Sequence, residues 1–238
     1  MDKIPKIIHC CWFGKGEMPE LALNCIESWK RNLTDYDIKI WNEDNFDIDS
    51  NHYVKEAYTA KKYAFVTDYV RLYALYHEGG IYMDTDVEVL KPLDDFLHHE
   101  AFSGFQTPNE IPTGLMAAKP KNKWIEKNLL AYTDKRFKRT NGSFDMSANV
   151  AMITNISKEM GFKEGGKFHE FGEGVAMYPI EYFCAKNYKT GKIGITNNTY
   201  AIHHFAGSWL PASSKFKMKV RWALGNKAYE LIKSLIKR

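Results

Sequence analysis

The sequence predicts a single α/β domain, and three observations carry that expectation. The chain opens strand, helix, strand; its 238 residues suit one large domain of that class; and no repeat, low-complexity tract or linker divides it. Residues 1–212 are assigned to this domain and residues 213–238 to a basic amphipathic helix.

Taken in order, residues 4–13 form an apolar first strand ended by Gly14 and Gly16. Pro19 sits at a helix start, and Ala22, Ile26, Trp29 and Leu33 recur at helical spacing. Residues 37–42 alternate as a second strand. Residues 62–77 predict a helix with Phe65, Tyr69, Leu72, Tyr73 and Tyr76 on its apolar stripe. Gly79-Gly80 stops that helix, because glycine readily takes the left-handed conformation of a helix end. Ile81-Tyr82-Met83 is a short strand running into Asp84-Thr85-Asp86, with residues 87–89 read as its continuation. Further strands are expected near 101–106, 114–118, 176–178 and 200–205. Helices are expected near 121–133, 146–158 and 217–238.

Composition narrows the function classes. Hydrophobic residues at 45% fill a core, and 14% aromatics suit either that core or stacking on flat ligands. The net charge of +4 is too small to argue for nucleic acid, and most of it lies in residues 215–238, where Glu230 is the single acid. Cys10, Cys11, Cys25 and Cys184 show no metal-type spacing, and neighbouring Cys10 and Cys11 should face opposite sides of a strand. No apolar run has signal-peptide or membrane-spanning length, so a reduced, cytoplasmic chain is expected. Asn32-Leu33-Thr34 matches a glycosylation sequon only formally.

Asp84 and Asp86 are the centre of the chemistry. Two carboxylates one residue apart at a strand end can converge on one hard cation, Mg²⁺ or Mn²⁺, that bridges to phosphate. Such an ion stabilises the charge gained by a departing nucleoside diphosphate. Asp68 and Arg71 share one helix face at i,i+3, as a surface ion pair or as ligand-binding groups within a largely apolar segment. His203-His204-Phe205-Ala206-Gly207-Ser208-Trp209 offers an imidazole for Mn²⁺ and a Gly-Ser turn for phosphate; a structural histidine pair is the plainer reading. Asp145 and Asn149 are the polar cluster nearest an acceptor by expectation, although a loop with a helix cap is the plainer reading of them.

The run from Phe65 to Val87, with its Asp three before Arg and its Gly-Gly-x-Tyr-x-Asp-x-Asp, resembles the DXD block of glycosyltransferase family 32. That family includes bacterial capsular-polysaccharide transferases and the yeast initiating α-1,6-mannosyltransferase, with clostridial glucosylating toxins more distant. Ile4-Pro5-Lys6-Ile7-Ile8-His9 with Trp12, and the His203–Trp209 segment, match bacterial members as well. The resemblance covers residues 4–210 and is weakest between 107 and 175.

It implies a GT-A fold and metal-dependent, anomer-retaining transfer of a hexose from a nucleotide-sugar, UDP-sugar favoured, to a glycan or lipid-linked glycan, as in capsule synthesis. By the same resemblance, Trp12 stacks on the base, and Asp68 and Arg71 hold the donor sugar. Tyr82 and Asp84 contact the donor, with Asp84 also at the metal's water shell. Asp86 binds the metal, joined by His204, with His203 as the alternative. Gly207, Ser208 and Trp209 close on the diphosphate.

Two rivals stand beside this reading. A haloacid-dehalogenase-type phosphatase also uses Asp-x-Asp, but Glu88 occupies the position where that class wants Thr or Val. A non-catalytic nucleotide-sugar module would not need metal-site carboxylates. In the tail, Val220, Leu224, Ala228, Leu231, Ile232 and Leu235 follow helical spacing with cations opposite, a pattern that suits the anionic inner face of a cell membrane or a helix packed on the domain.

Overall fold

A computed structural model describes residues 3–207, 210–225 and 228–229. The elements run β1 (Ile7–Cys11), α1 (Glu20–Asn32), β2 (Asp37–Trp41), α2 (His52–Thr59), α3 (Tyr63–Glu78), β3 (Gly80–Met83) and β4 (Val87–Val89). They continue as β5 (Ala101–Gly104), β6 (Leu115–Ala118), α4 (Lys123–Leu130), α5 (Asn149–Glu159), β7 (His169–Phe171), β8 (Val175–Tyr178), α6 (Ile180–Phe183), β9 (Ala201–His203) and α7 (Ala212–Leu224).

The main sheet has seven strands in the order β2-β1-β3-β6-β5-β8-β7. β1 pairs parallel with β2 and β3, while β6 runs antiparallel between β3 and β5. Alternation splits the side chains between two cores. Cys11 and Tyr82 join the face carrying α2 to α5, whereas Cys10, Ile81 and Met83 join the face carrying α1. The two adjacent cysteines do point to opposite faces, and all four are free and buried.

Two differences from expectation matter for the site. Residues 87–89 do not extend β3; they leave the main sheet and pair antiparallel with β9, in register Val87↔His203. A turn at Thr85 and Asp86 breaks the strand between them. The eight-residue helix α2 was also not anticipated, though Asn51 caps it by accepting from the N–H groups of Tyr53 and Val54. In place of a continuous helix over 217–238, α7 begins at Ala212 and ends at Leu224, with Gly225 at φ +78° beyond it; residues 228–229 are helical again, and 226–227 and 230–238 lie outside the described residues.

The hinge between α3 and β3 is built for close approach. Gly79 at φ +68° ends α3, and Gly80 follows at φ +98°. Buried His9 holds this turn: its Nδ1 accepts from Trp41 Nε1 at 3.1 Å, which obliges Nε2 to carry the hydrogen it donates to the Gly79 carbonyl at 2.8 Å. A Cβ on Gly80 would lie 2.5 Å from the Ile7 carbonyl oxygen. Gly80→Ala should therefore cost about 2–4 kcal/mol in chemical denaturation, through left-handed strain plus that clash. Gly16→Ala, which meets nothing within 4 Å, should stay within about 0.5 kcal/mol of the parent.

Candidate active site

β3 delivers Asp84 to the C-terminal edge of the sheet, beside the end of its parallel neighbour β1. The Asp84 N–H donates to the Gly114 carbonyl at 2.8 Å, and Tyr82 Oη donates to Asp84 Oδ1 at 2.7 Å. From α3, the Arg71 guanidinium reaches the same oxygen at 3.4 Å and Asp68 Oδ1 at 3.1 Å. Arg71 also donates to the Thr113 carbonyl and lies 4.7 Å above the Tyr82 ring. Asp68 and Arg71 are both buried, so the reading as a surface ion pair does not hold. Burial pushes the Asp68 carboxyl up to about 7, against the opposing pull of Arg71. With a folded value above the ordinary one, its contribution to stability is fully present below about pH 4 and is lost as pH rises through 7.

Asp86, Asp84 and His203 form the metal-type cluster: one potential ligand atom from each lies within 4.8 Å of the others. The small sheet makes this meeting. The turn before β4 carries Asp86, and β9 carries His203 opposite Val87. The outer edge of β4 is held by side chains of α1, where Trp29 donates to the Val87 carbonyl and Asn32 to that of Val89, while Ser28 Oγ accepts from the Val89 N–H. The Asn32 amide is thus committed to structure, which leaves the sequon a string match.

His203 faces the aspartates and His204 does not, which reverses the preference for His204. Strand alternation explains the reversal. His204 shares a face with Ile202 and Glu88, and its Nε2 lies 2.9 Å from Glu88 Oε2. Its backbone N–H still serves the site by donating to the Asp86 carbonyl at 2.9 Å. Beyond it the chain turns sharply, with Phe205 at φ +54° and Gly207 at φ +60°, and the Ala206 N–H donates to Asp86 Oδ2 at 2.7 Å. Ser208 and Trp209 lie outside the described residues.

Asp86 and His203 neutralise each other, with Nε2 and Oδ1 at 3.3 Å. Burial opposes ionisation of Asp86, but His203 and the Ala206 N–H outweigh it and hold the carboxyl at about 2. Burial likewise opposes the charge on His203, and Asp86 overrides it, raising that imidazole well above its usual range. His203 Nδ1 is buried without a hydrogen-bond partner. Two carboxylates and one imidazole are a donor set that Mn²⁺ accepts, so the residues present fit a divalent cation. Gly114 was missed in the sequence, having no side chain to notice. A Cβ there would lie 2.7 Å from His203 Cε1, so only glycine leaves the imidazole its place.

The other candidates lie outside this cluster and make contacts of their own. Trp12 stands half-buried at the end of β1, its Nε1 donating to the Gly16 carbonyl at 2.6 Å. Asp145 accepts from the Ser147 N–H and from Arg139, the loop role its alternative reading named. Lys135 lies 3.8 Å from Asp145 and also acts on Asp68. Asn149 begins α5, is buried, and has an amide nitrogen without a partner.

Residues 19–103 match the family described as a glycosyltransferase sugar-binding region containing a DXD motif. The chain is 29% identical over 140 residues to inositol phosphoceramide mannosyltransferase 1 of Schizosaccharomyces pombe, covering 52% of this chain and 41% of that protein. It is 32% identical over 117 residues to inositol phosphoceramide mannosyltransferase 3 of the same yeast, covering 48% and 33% respectively. The chain therefore spans less than half the length of these curated relatives. Among solved structures, the PaToxG glycosyltransferase superposes with a TM-score of 0.52 at 19% identity, covering 66% of this chain and 69% of that one. That likeness gives the fold as GT-A.

A cation seated at this cluster must expel the His203 proton. Mn²⁺ affinity should rise with pH, and calorimetry near neutrality in buffers of differing ionisation enthalpy should find about one proton released per ion. Gly114→Ala should weaken Mn²⁺ binding by about tenfold or more by pushing the imidazole aside.

Proposed function

We propose, from the match of residues 19–103 to the glycosyltransferase sugar-binding region containing a DXD motif, that the protein is a metal-dependent, anomer-retaining hexosyltransferase. Its donor is a nucleotide-sugar, UDP-linked by preference, and its acceptor a glycan or lipid-linked glycan. The observation that carries this reading is the convergence of Asp84, Asp86 and His203 beside the buried Asp68–Arg71 pair.

Each residue has a task that its surroundings support. Arg71, fixed by Asp68, Asp84 and the Thr113 carbonyl, presents a positive charge near the donor sugar and phosphates. Tyr82 occupies Asp84 Oδ1 and so leaves Oδ2 for a ligand. Asp68, protonated or ionised near neutrality, can donate to or accept from a sugar hydroxyl. Trp12 offers its indole face to the base, and Gly207 a backbone N–H to phosphate. A divalent cation, Mn²⁺ or Mg²⁺, held by Asp86 and His203 with Asp84, would offset the charge that develops on the leaving diphosphate. Asn149, with its unpartnered buried amide, is the better of the two acceptor-side candidates; Asp145 is engaged by its own loop. The relatives' names specify an inositol phosphoceramide, and a lipid-borne acceptor is the class we favour here. The free cysteines suit a reducing cytoplasm.

The test is to incubate the protein and Mn²⁺ with a panel of UDP- and GDP-sugars and follow donor hydrolysis. One donor should be hydrolysed slowly, and Asp86→Ala should lower that rate by at least about 100-fold while keeping the wild-type circular dichroism. Hydrolysis at the parental rate in that variant would remove the metal role.

A further inference from the structure

Every charged residue between Glu181 and Glu230 is Lys or Arg, with only histidines as further titratable bases. The fold brings the two ends of this carboxylate-free stretch together. On α7, Trp222 Nε1 donates to the Tyr188 carbonyl at 2.9 Å, and its ring lies against Gly191. Lys186 Nζ lies 4.2 Å from the centre of that ring and donates to the His204 carbonyl at 2.9 Å. The turn from Asn187 to Lys192, closed by Asn187 N–H to the Lys192 carbonyl, exposes Lys189 and Lys192. α7 thus packs through Trp222 on a basic turn, one hydrogen bond from the histidine pair.

That contact determines which face of α7 is left over. At about 100° per residue, Phe216, Val220 and Leu224 fall within one stripe about 80° wide, and Trp222 lies about 160° from its centre. Phe216 is 68% exposed and Leu224 48%, so large apolar side chains stand in solvent there. Lys217 and Lys219 flank the stripe on either side, both exposed. The seam depends on the non-local contact of Trp222 with the Tyr188 carbonyl, which sequence spacing does not show.

We propose that this face of α7, with the adjoining turn 187–192, docks the protein onto an anionic lipid bilayer. Anionic headgroups complement a surface with no carboxylate between Glu181 and Glu230, and the acyl boundary takes Phe216, Val220 and Leu224. A soluble polyanion would answer the lysines and leave the apolar stripe in water. No described helix is long and apolar enough to cross a membrane. The inference stands apart from the transferase reading, because it concerns binding to lipid and not turnover.

The full chain is sedimented with phosphatidylcholine vesicles, with and without phosphatidylglycerol. It should pellet with the anionic vesicles and stay in solution with the neutral ones. Lys217→Gln with Lys219→Gln should lower the partition coefficient about 25-fold, roughly fivefold per lysine, while Lys217→Arg with Lys219→Arg keeps it. Phe216→Ser with Leu224→Ser should lower it by about tenfold or more. Both substituted pairs are exposed, and thermal unfolding checks that each of the three double variants folds. Equal pelleting with neutral and anionic vesicles would overturn the proposal. So would undiminished binding by the Phe216/Leu224 variant, which would identify a simple polyanion site.

Discussion

The site depends on the backbone pairing of Val87 with His203, across 116 positions of chain. That register fixes which of two adjacent histidines meets the aspartates, and it does so by strand parity rather than by side-chain chemistry. The pairing is reinforced on both sides. α1 satisfies the outer edge of β4 with Trp29, Asn32 and Ser28, and the His204 N–H continues the ladder to the Asp86 carbonyl. Removing a buried partner from such an edge leaves a polar group unpaired, which costs about 1–3 kcal/mol, more than a surface ion pair contributes. The placement of Asp86 and His203 is therefore held by hydrogen bonds to the main chain that do not themselves need an ion.

A second constraint is electrostatic. Arg71 lies buried between Asp68 and Asp84, and Asp86 lies against His203, so each charge in the site has an opposite neighbour. Burial makes isolated charges costly, and this alternation is how the site keeps so many ionisable groups out of water. It also differentiates the carboxylates. Asp86 stays ionised to low pH because His203 and a backbone N–H stabilise the anion, whereas Asp68 has burial to contend with and only Arg71 in close support. The former suits a cation ligand and the latter a partner for hydroxyl groups.

Much of this was legible in the sequence where the cause was local. The 3.6-residue stripe of α3, the Gly79-Gly80 stop and the short strand before Asp84 all follow from neighbours in the chain, and the structure has them. The DXD resemblance placed Asp68, Arg71, Tyr82 and Asp84 in one neighbourhood, and their contacts agree. What sequence could not supply was non-local. Residues 87–89 look like a continuation of β3 until β9 is known to claim them, and the same missing partner left His203 and His204 undecided. Gly114 acts by the absence of a side chain, and periodicity cannot register an absence. Helix α2 had a readable signal in Asn51 before Tyr53, Val54 and Ala57, but eight residues are too few for spacing to stand out.

His203, not His204, is the imidazole that lies with Asp84 and Asp86 in the metal-type cluster. Electron spin-echo envelope modulation of the Mn²⁺ complex with UDP reads that ligand directly. A nitrogen coupling of imidazole type should disappear in His203→Gln and persist in His204→Gln. A coupling that survives the first substitution and is lost in the second would contradict His203 as the ligand.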